Sequence, residues 1–349
     1  MPPQPHLKQI TEGRATLVRA DASALMQQIL TGQLTDIEIA ALLGALAARG
    51  ETAAEIAGFV DAMRTAATTL PLNDAERIRL TDTCGTGGDA SGTFNISTAA
   101  ALVAAAAGAT VAKHGNRAVT SQCGSADVLE ALGIPVALNP AEAATALRQH
   151  RFAFLHAPTL HPAMKAVMPV RRTLGIRTVF NVLGPLTNPA GASAQVMGVY
   201  APHLVPLVAE AMAMLGTRHA FVVHGNNGTA DGKGLDELSI SGPSQLAEVH
   251  SGPDVLHQVT LSTITPEDVG LTRAGTEALR GGDAHTNAAI LTAIFSGERS
   301  PRRDIVLLNA AAVLVTADLT PDLPTGVALA ARTIDTGAVT ELLAALARR

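Results

Sequence analysis

The sequence predicts an α/β fold in two parts, a small helical unit and a larger domain built on a mainly parallel sheet. Three observations carry that expectation. At 349 residues the chain exceeds what one hydrophobic core ordinarily fills, so two domains are expected. Up to about residue 70 the apolar residues recur only at helical spacing. From Ile78 onward short apolar strands alternate with helices, the grammar of a parallel sheet covered on both faces.

The elements follow in order. Thr35-Asp36 caps a helix running to Ala48 and closed by Gly50. Thr52-Ala53-Ala54-Glu55 has capping-box spacing and starts a second helix, expected to reach about Thr68 before Pro71 stops it. Ile39, Leu42, Leu43 and Leu46 line one face of the first, and Ile56, Phe59, Val60 and Met63 one face of the second. So small a unit needs a partner to cover that stripe. Ile78–Thr83 reads as a strand, then a glycine turn, then a helix from about Ser97 to Ala107 ended by Gly108. Thr110–Lys113 is the next strand. Ser125 can cap a helix over Ala126–Leu132, and Asn139-Pro140 opens another. Phe152–His156, Gln195–Tyr200 and Ala220–His224 read as buried strands. His161–Leu174 reads as one helix and Asn181–Pro189 as a loop. A polar insertion, Thr229–Gly234, precedes Leu235-Asp236-Glu237-Leu238, and alanine-rich helices over 284–297, 301–317 and 324–348 close the chain.

Composition narrows the function. Hydrophobic residues make up 47% and charged residues 16%, which describes a soluble, well-buried globule. A net charge of −5 and a pI near 6.1 argue against nucleic acid or an anionic membrane as partner. With seven Phe, one Tyr and no Trp there is little to stack bases on. Two cysteines, Cys84 and Cys123, are too few for a disulfide framework and suit a reducing cytoplasm. The start, Met1-Pro2-Pro3-Gln4-Pro5, lacks the basic and apolar regions of a signal peptide, and Thr98–Gly108 is too short to span a bilayer. A cytoplasmic protein is expected.

Two stretches carry anion chemistry. Cys84-Gly85-Thr86-Gly87-Gly88-Asp89, with Thr93, Asn95, Ser97 and Thr98 after it, pairs a glycine turn with hydroxyls and amides at a helix start. Glycines let the backbone approach an anion, and helix N-terminal N–H groups supply donors. Alone, the turn is more often a tight strand-to-helix connection than a site; it fits neither the dinucleotide fingerprint nor the Walker loop. Ordinary capping explains one of the polar residues that follow it, not four. Lys113-His114-Gly115-Asn116-Arg117, leading to Gly124-Ser125-Ala126-Asp127, leaves a buried strand where sheet ligands sit and adds counter-charge. Together the two stretches suggest a ligand with several phosphates. Asp236-Glu237 would be mere exposed charge in most chains, but beside a polyphosphate it makes a hard oxygen site for magnesium. His161 and Lys165 lie four apart, with Arg171 beyond; a lone histidine there is more often structural than a ligand. The cysteines have no CxxC partner and read as small buried thiols.

These residues resemble a known family. Gly-Thr-Gly-Gly-Asp at 85–89, Asn-Ile-Ser-Thr at 95–98, Lys-His-Gly-Asn-Arg at 113–117 and Gly-Ser-Ala-Asp-Val-Leu-Glu at 124–130 are similar to the anthranilate phosphoribosyltransferases. The likeness continues through His161-Pro162-Ala163-Met164, Val170–Gly175, Phe180–Pro189, Gly234–Glu237 and Gly281–Ala284, so it spans nearly the whole chain. It implies the nucleoside phosphorylase-like fold, with a discontinuous helical domain (1–75 and 161–187) that dimerises and a large α/β domain (76–160 and 188–349). It implies a homodimer that transfers the phosphoribosyl group of phosphoribosyl pyrophosphate to anthranilate in tryptophan biosynthesis. Carried over by position, Gly85, Gly88, Asp89, Thr93, Asn95, Ile96, Ser97, Thr98, Lys113, His114, Gly115, Asn116, Arg117, Ala118, Val119, Thr120, Ser121 and Ser125 would contact the donor. Gly85, Asn116, His161 and Arg171 would contact anthranilate, the guanidinium forking onto the carboxylate. Ser97, Asp236 and Glu237 would hold two magnesium ions per subunit. No dedicated acid or base is expected. Thr120-Ser121-Gln122-Cys123 stands where relatives have Ser-Ser-Lys-Ser, so one lysine charge is lost at Gln122, and the Thr229–Gly234 insertion lengthens the loop before Asp236. Two other readings stay open: a pyrimidine nucleoside phosphorylase, whose basic motif is Lys-x-Ser-Gly-Arg-Gly, and a non-catalytic nucleic-acid-binding relative, which would need a basic groove.

Overall fold

A computed structural model describes residues 4–13, 15–118, 122–229, 234–252 and 255–348. The chain opens with helices Gln4–Thr11, Arg19–Leu30, Asp36–Arg49 and Ala53–Ala66. The capping box expected at Thr52 forms, and the Thr35 cap proves to be one too: the Thr35 and Thr52 hydroxyls accept from the Glu38 and Glu55 N–H groups, and each glutamate accepts from the N–H of its cap residue.

Among the described residues eight strands then build one sheet: β1 Leu80–Gly85, β2 Thr110–Gly115, β3 Phe152–His156, β4 Ala194–Gly198, β5 His219–Asn226, β6 Gly234–Leu235, β7 Ser244–Gly252 and β8 Val255–Ile264. Their order is β3-β2-β1-β4-β5-β7-β8, with β6 beside β5. The five strands from β3 to β5 are parallel, whereas β6, β7 and β8 pair antiparallel, which makes the sheet mainly parallel as expected.

Side chains alternate across the sheet and, among the described residues, feed three buried clusters, the smallest of which joins Leu80, Ala112, Ala153 and Leu155 to Leu70 and Leu147. Val196, Phe221 and Val223 face helices Ile96–Ala106, Ala284–Phe295 and Pro301–Thr316. Met197, Ala220 and Val222 face Leu204–Met214 and, through it, the N-terminal helices and residues 167–186. The apolar stripe of the helical unit is therefore buried by the rest of the same chain: Leu42, Leu43, Ile56 and Phe59 are each 1% exposed. That corrects the expectation of a stripe left over for a second subunit.

Other elements depart from expectation for local reasons. The stretch His161–Leu174 is a 3-10 turn (Pro162–Ala166) and a short α-helix (Met168–Leu174), because Pro162 and Pro169 each remove a donor. Phe180–Leu186, expected as loop, is helical with Pro185 inside it. The last long helix is two, Leu323–Asp335 and Ala338–Leu346, broken at Gly337 with φ +79°. Ser125 does not cap its helix; Gly124 does, and Asp127 closes back onto the Gly124 N–H. No helix among the described residues is long and apolar enough to cross a membrane.

Candidate active site

From β1 the chain winds outward to β2 and β3, then returns to β4 and β5 on the other side, leaving a crevice at the carboxyl ends of β1 and β4. Gly85 ends β1, and Gly198, its register partner, ends β4. The Asp236–Glu237 segment crosses this gap. A Cβ at Gly198 would stand 1.5 Å from the Asp236 carbonyl oxygen, and one at Gly85 would stand 2.1 Å from Asp236 Oδ2. Only glycine admits that approach. The Gly87 N–H donates to Asp236 Oδ2 (2.7 Å) and the Ser97 N–H to Glu237 Oε1 (3.0 Å). The Asp236 N–H in turn donates to Asp89 Oδ2 at 3.4 Å. Three motifs far apart in sequence thus share one cleft.

Lys113 lies directly beneath. It is 1% exposed, and its Nζ donates to the Thr83 carbonyl (2.7 Å) and to Ser97 Oγ (3.3 Å). Burial lowers its pKa, against the pull of Cys84, Asp82, Glu237 and Asp236. Burial also pushes the Asp236 carboxyl up to about 7, with Asp89 adding repulsion, and Glu237 to about 8, with Asp236 adding to it. Three acids against one pinned ammonium leave surplus negative charge and hard oxygen atoms, so the donor set fits a small divalent cation. Asp82, fully buried, accepts from the His114 N–H (3.1 Å) and ties β1 to β2.

The other side of the cleft is lined by residues from both parts of the chain. The His114 and His161 rings stand 5.1 Å apart, tilted by 53°. Burial, with His161 adding repulsion, holds His114 down at about 3, and burial lowers His161 as well. Their Nε2 atoms find no hydrogen-bond partner among the described residues. The Arg171 guanidinium rests over the Phe180 ring (5.3 Å) with Nη1 3.9 Å from Met168 Sδ. No carboxylate pairs with it among the described residues, and burial lowers its pKa.

Several expected donor contacts face elsewhere. Arg117 turns outward and bridges Glu130 (2.5 Å) and Asp127 (3.1 Å). The Asn95 amide is occupied by the Cys123 carbonyl (3.3 Å) and by Asn287 (2.9 Å), and the Ile96 and Thr98 side chains are each 1% exposed. These three can offer a ligand backbone only. Thr93 bridges to Arg280, with its hydroxyl 3.2 Å from Ser91 Oγ. Ser125 Oγ donates to the Asn116 carbonyl (3.3 Å) and so steadies the Lys113–Ala118 loop, while the Asn116 side chain accepts from the Arg117 N–H at 2.8 Å. Val119, Thr120, Ser121 and residues 230–233 of the polar insertion lie outside the described residues.

Two family models match the chain: a glycosyl transferase helical bundle domain over residues 4–67 and a glycosyl transferase a/b domain over 77–340. The anthranilate phosphoribosyltransferase of Chloroflexus aggregans is 52% identical over 331 residues, 95% of this chain and 93% of that one. The chain belongs to the anthranilate phosphoribosyltransferase family. The family member from Symbiobacterium thermophilum is 50% identical over 97% of this chain and 94% of its own length. Among solved structures, the anthranilate phosphoribosyltransferase of Thermus thermophilus superposes with a TM-score of 0.89 at 44% identity, covering 98% of this chain and 99% of that one. The Saccharomyces cerevisiae enzyme in complex with PRPP and Mg superposes with a TM-score of 0.85 at 28% identity, covering 98% and 95%.

Residues that position this anthranilate phosphoribosyltransferase family site escaped the motifs. Asn309, 2% exposed in the Pro301–Thr316 helix, accepts from the Leu238 N–H (3.0 Å) and donates to the Leu238 carbonyl (2.9 Å). Its signal was a lone amide in Ile305-Val306-Leu307-Leu308-Asn309-Ala310-Ala311, where a polar side chain must have a partner. Arg177 reaches the Gly88 carbonyl and lies 4.4 Å from the Tyr200 ring centre, tying the segment after the Met168–Leu174 helix to the glycine turn.

Proposed function

We propose that the chain transfers the phosphoribosyl group of phosphoribosyl pyrophosphate to the amine of anthranilate, giving N-(5-phosphoribosyl)anthranilate and pyrophosphate, a step of tryptophan biosynthesis. The observation that carries this reading is the pinning of Asp236–Glu237 onto the glycine turn and the Ser97 helix start, above buried Lys113. Of the N–H groups in the glycine turn and at the start of the Ile96–Ala106 helix, those not taken by Asp236, Glu237 and neighbouring carbonyls would meet the donor's phosphates. Asp236, Glu237 and the Ser97 hydroxyl would hold Mg2+, two ions per subunit, and the yeast relative's complex supports that use. When bound, the metal supplies charge neutralisation for the departing pyrophosphate.

On the acceptor side, Arg171 forks onto the carboxylate of anthranilate. His114 and His161, both held neutral by burial, keep positive charge off the neighbouring amine. The aromatic amine is already neutral at working pH, so positioning rather than a strong base carries the rate as the C1–N bond replaces the C1–O bond. The reading includes a discontinuous helical domain of 1–75 and 161–187, supported by the shared packing of residues 10–63 with 167–186. It also includes a cytoplasmic homodimer; Val18 (63% exposed) and Ile37 (82%) on the helical unit support a partner there. Light scattering would detect a single-subunit mass if that is wrong.

The test is direct. Purified protein with Mg2+, phosphoribosyl pyrophosphate and anthranilate should remove anthranilate fluorescence, and omitting any one component should abolish the loss. Phosphorolysis of thymidine with no such loss would overturn the assignment.

A further inference from the structure

The opposite end of the sheet carries a second cluster of metal-binding groups. His219 opens β5, and its register partner on β7 is His250; Glu248 lies two residues before His250. With side chains alternating along each strand, all three project from one face. The imidazoles stack with centres 4.2 Å apart and planes 28° apart. Glu248 Oε1 sits 3.1 Å from His219 Nε2 and 3.0 Å from His250 Nε2. One ligand atom from each of the three residues lies within 4.8 Å of the other two. Donors each about 2.0–2.1 Å from a common tetrahedral ion stand roughly 3.3 Å apart, so the carboxylate-to-imidazole spacings already match.

A further observation supports a ligand role for His219. Its Nδ1 is 3.3 Å from Asp318 Oδ1, and Arg218 pairs with the other oxygen of that carboxylate. A carboxylate on the far nitrogen fixes the tautomer whose Nε2 lone pair faces the cluster. Access is one-sided: the His219 side chain is 6% exposed, while those of Glu248 and His250 are 34% and 44% exposed. Two imidazoles, one carboxylate and an open side suit Zn2+, whereas Mg2+ and Ca2+ prefer oxygen throughout.

We propose that His219, Glu248 and His250 form a zinc site that clamps β5 to β7, with Asp318 as the positioning residue. It is distinct from the Asp236–Glu237 site: Gly225, where an added Cβ would stand 2.5 Å from the Glu237 carbonyl oxygen, is six residue steps along β5 from His219, on the order of 20 Å away.

The experiment uses tag-free full-length chain, stripped with chelator and titrated with Zn2+ in excess Mg2+, against a chromophoric competitor. One tight equivalent is expected, with Co2+ in its place giving the intense visible bands of a tetrahedral nitrogen-containing site. His250→Gln and Glu248→Gln should each weaken zinc binding at least about 100-fold, and Asp318→Asn about 10- to 100-fold. Asp318 has φ +56°, a conformation asparagine tolerates, so that variant should fold. Zinc should raise the thermal midpoint of the wild type and not of His250→Gln, while transferase turnover in Mg2+ stays the same in both. Equal zinc affinity in wild type and all three variants, or no equivalent beyond that of His250→Gln, would overturn the proposal.

Discussion

Replacing Asn309 with leucine should loosen the acidic pair without touching it. The substitution keeps volume and removes an acceptor for the Leu238 N–H and a donor to the Leu238 carbonyl. Leu238 is 0% exposed and Asn309 2%, so water cannot replace either partner. Each of the two buried groups left unmade costs about 1–3 kcal/mol, and the added apolar side chain returns about 1–2 kcal/mol, giving a net loss of roughly 1–4 kcal/mol. Urea unfolding should show it as a lower midpoint at unchanged slope. Because Glu237 is the next residue, the concentration of Mg2+ needed for half-maximal transferase rate should rise as well. A variant within about 0.5 kcal/mol of wild type, with unchanged Mg2+ dependence, would refute the claim that Asn309 sets the position of the pair.

Gly198→Ala should abolish transferase activity and cost about 3 kcal/mol or more, since its methyl would stand 1.5 Å from the Asp236 carbonyl; Gly44→Ala, with nothing within 4 Å in mid-helix, should instead stabilise by about 0.5–1 kcal/mol in the same urea assay. Arg171→Ala should raise the anthranilate KM more than about tenfold while leaving the donor KM nearly unchanged, and Arg171→Lys should recover only part of the loss; steady-state kinetics with each substrate varied checks both. His114 is held at about 3, below the value of about 6.5 it would have unfolded, so the unfolded chain binds a proton that the native chain refuses. Stability should therefore fall as pH drops from about 6.5 toward 3, and His114→Gln should flatten that slope by up to about 1.4 kcal/mol per pH unit in unfolding curves between about pH 6 and 4.

Caps and chemistry were legible where single residues dictate them. Thr35, Thr52 and Asn139 cap helices as read, because the box spacing satisfies donors that the helix cannot. The alternation of buried strands foretold the parallel half of the sheet. β8 was hidden because its described side chains before Thr263 are exposed or half-exposed, so no apolar period marks an edge strand. The Phe180–Leu186 helix was hidden behind Gly184-Pro185, punctuation that burial of Phe180, Val182, Leu183 and Leu186 overrides. In the cleft, residue types pointed to the ligand chemistry but not to side-chain direction. Arg117 reads as counter-charge until Asp127 and Glu130, 10 and 13 residues later on the next helix, claim it. Asp82 and Asn188, both buried, gave no sign of their structural roles, although Asn188 lies in the Phe180–Pro189 block; those roles appear only when β1, β2 and the turn before β4 meet.

The acidic crossing over Gly198 is anchored from below by the sheet and from behind by a helix, through contacts that lie outside the connection that delivers it. Length changes in that connection would leave these anchors, and with them the carboxylates, where they stand.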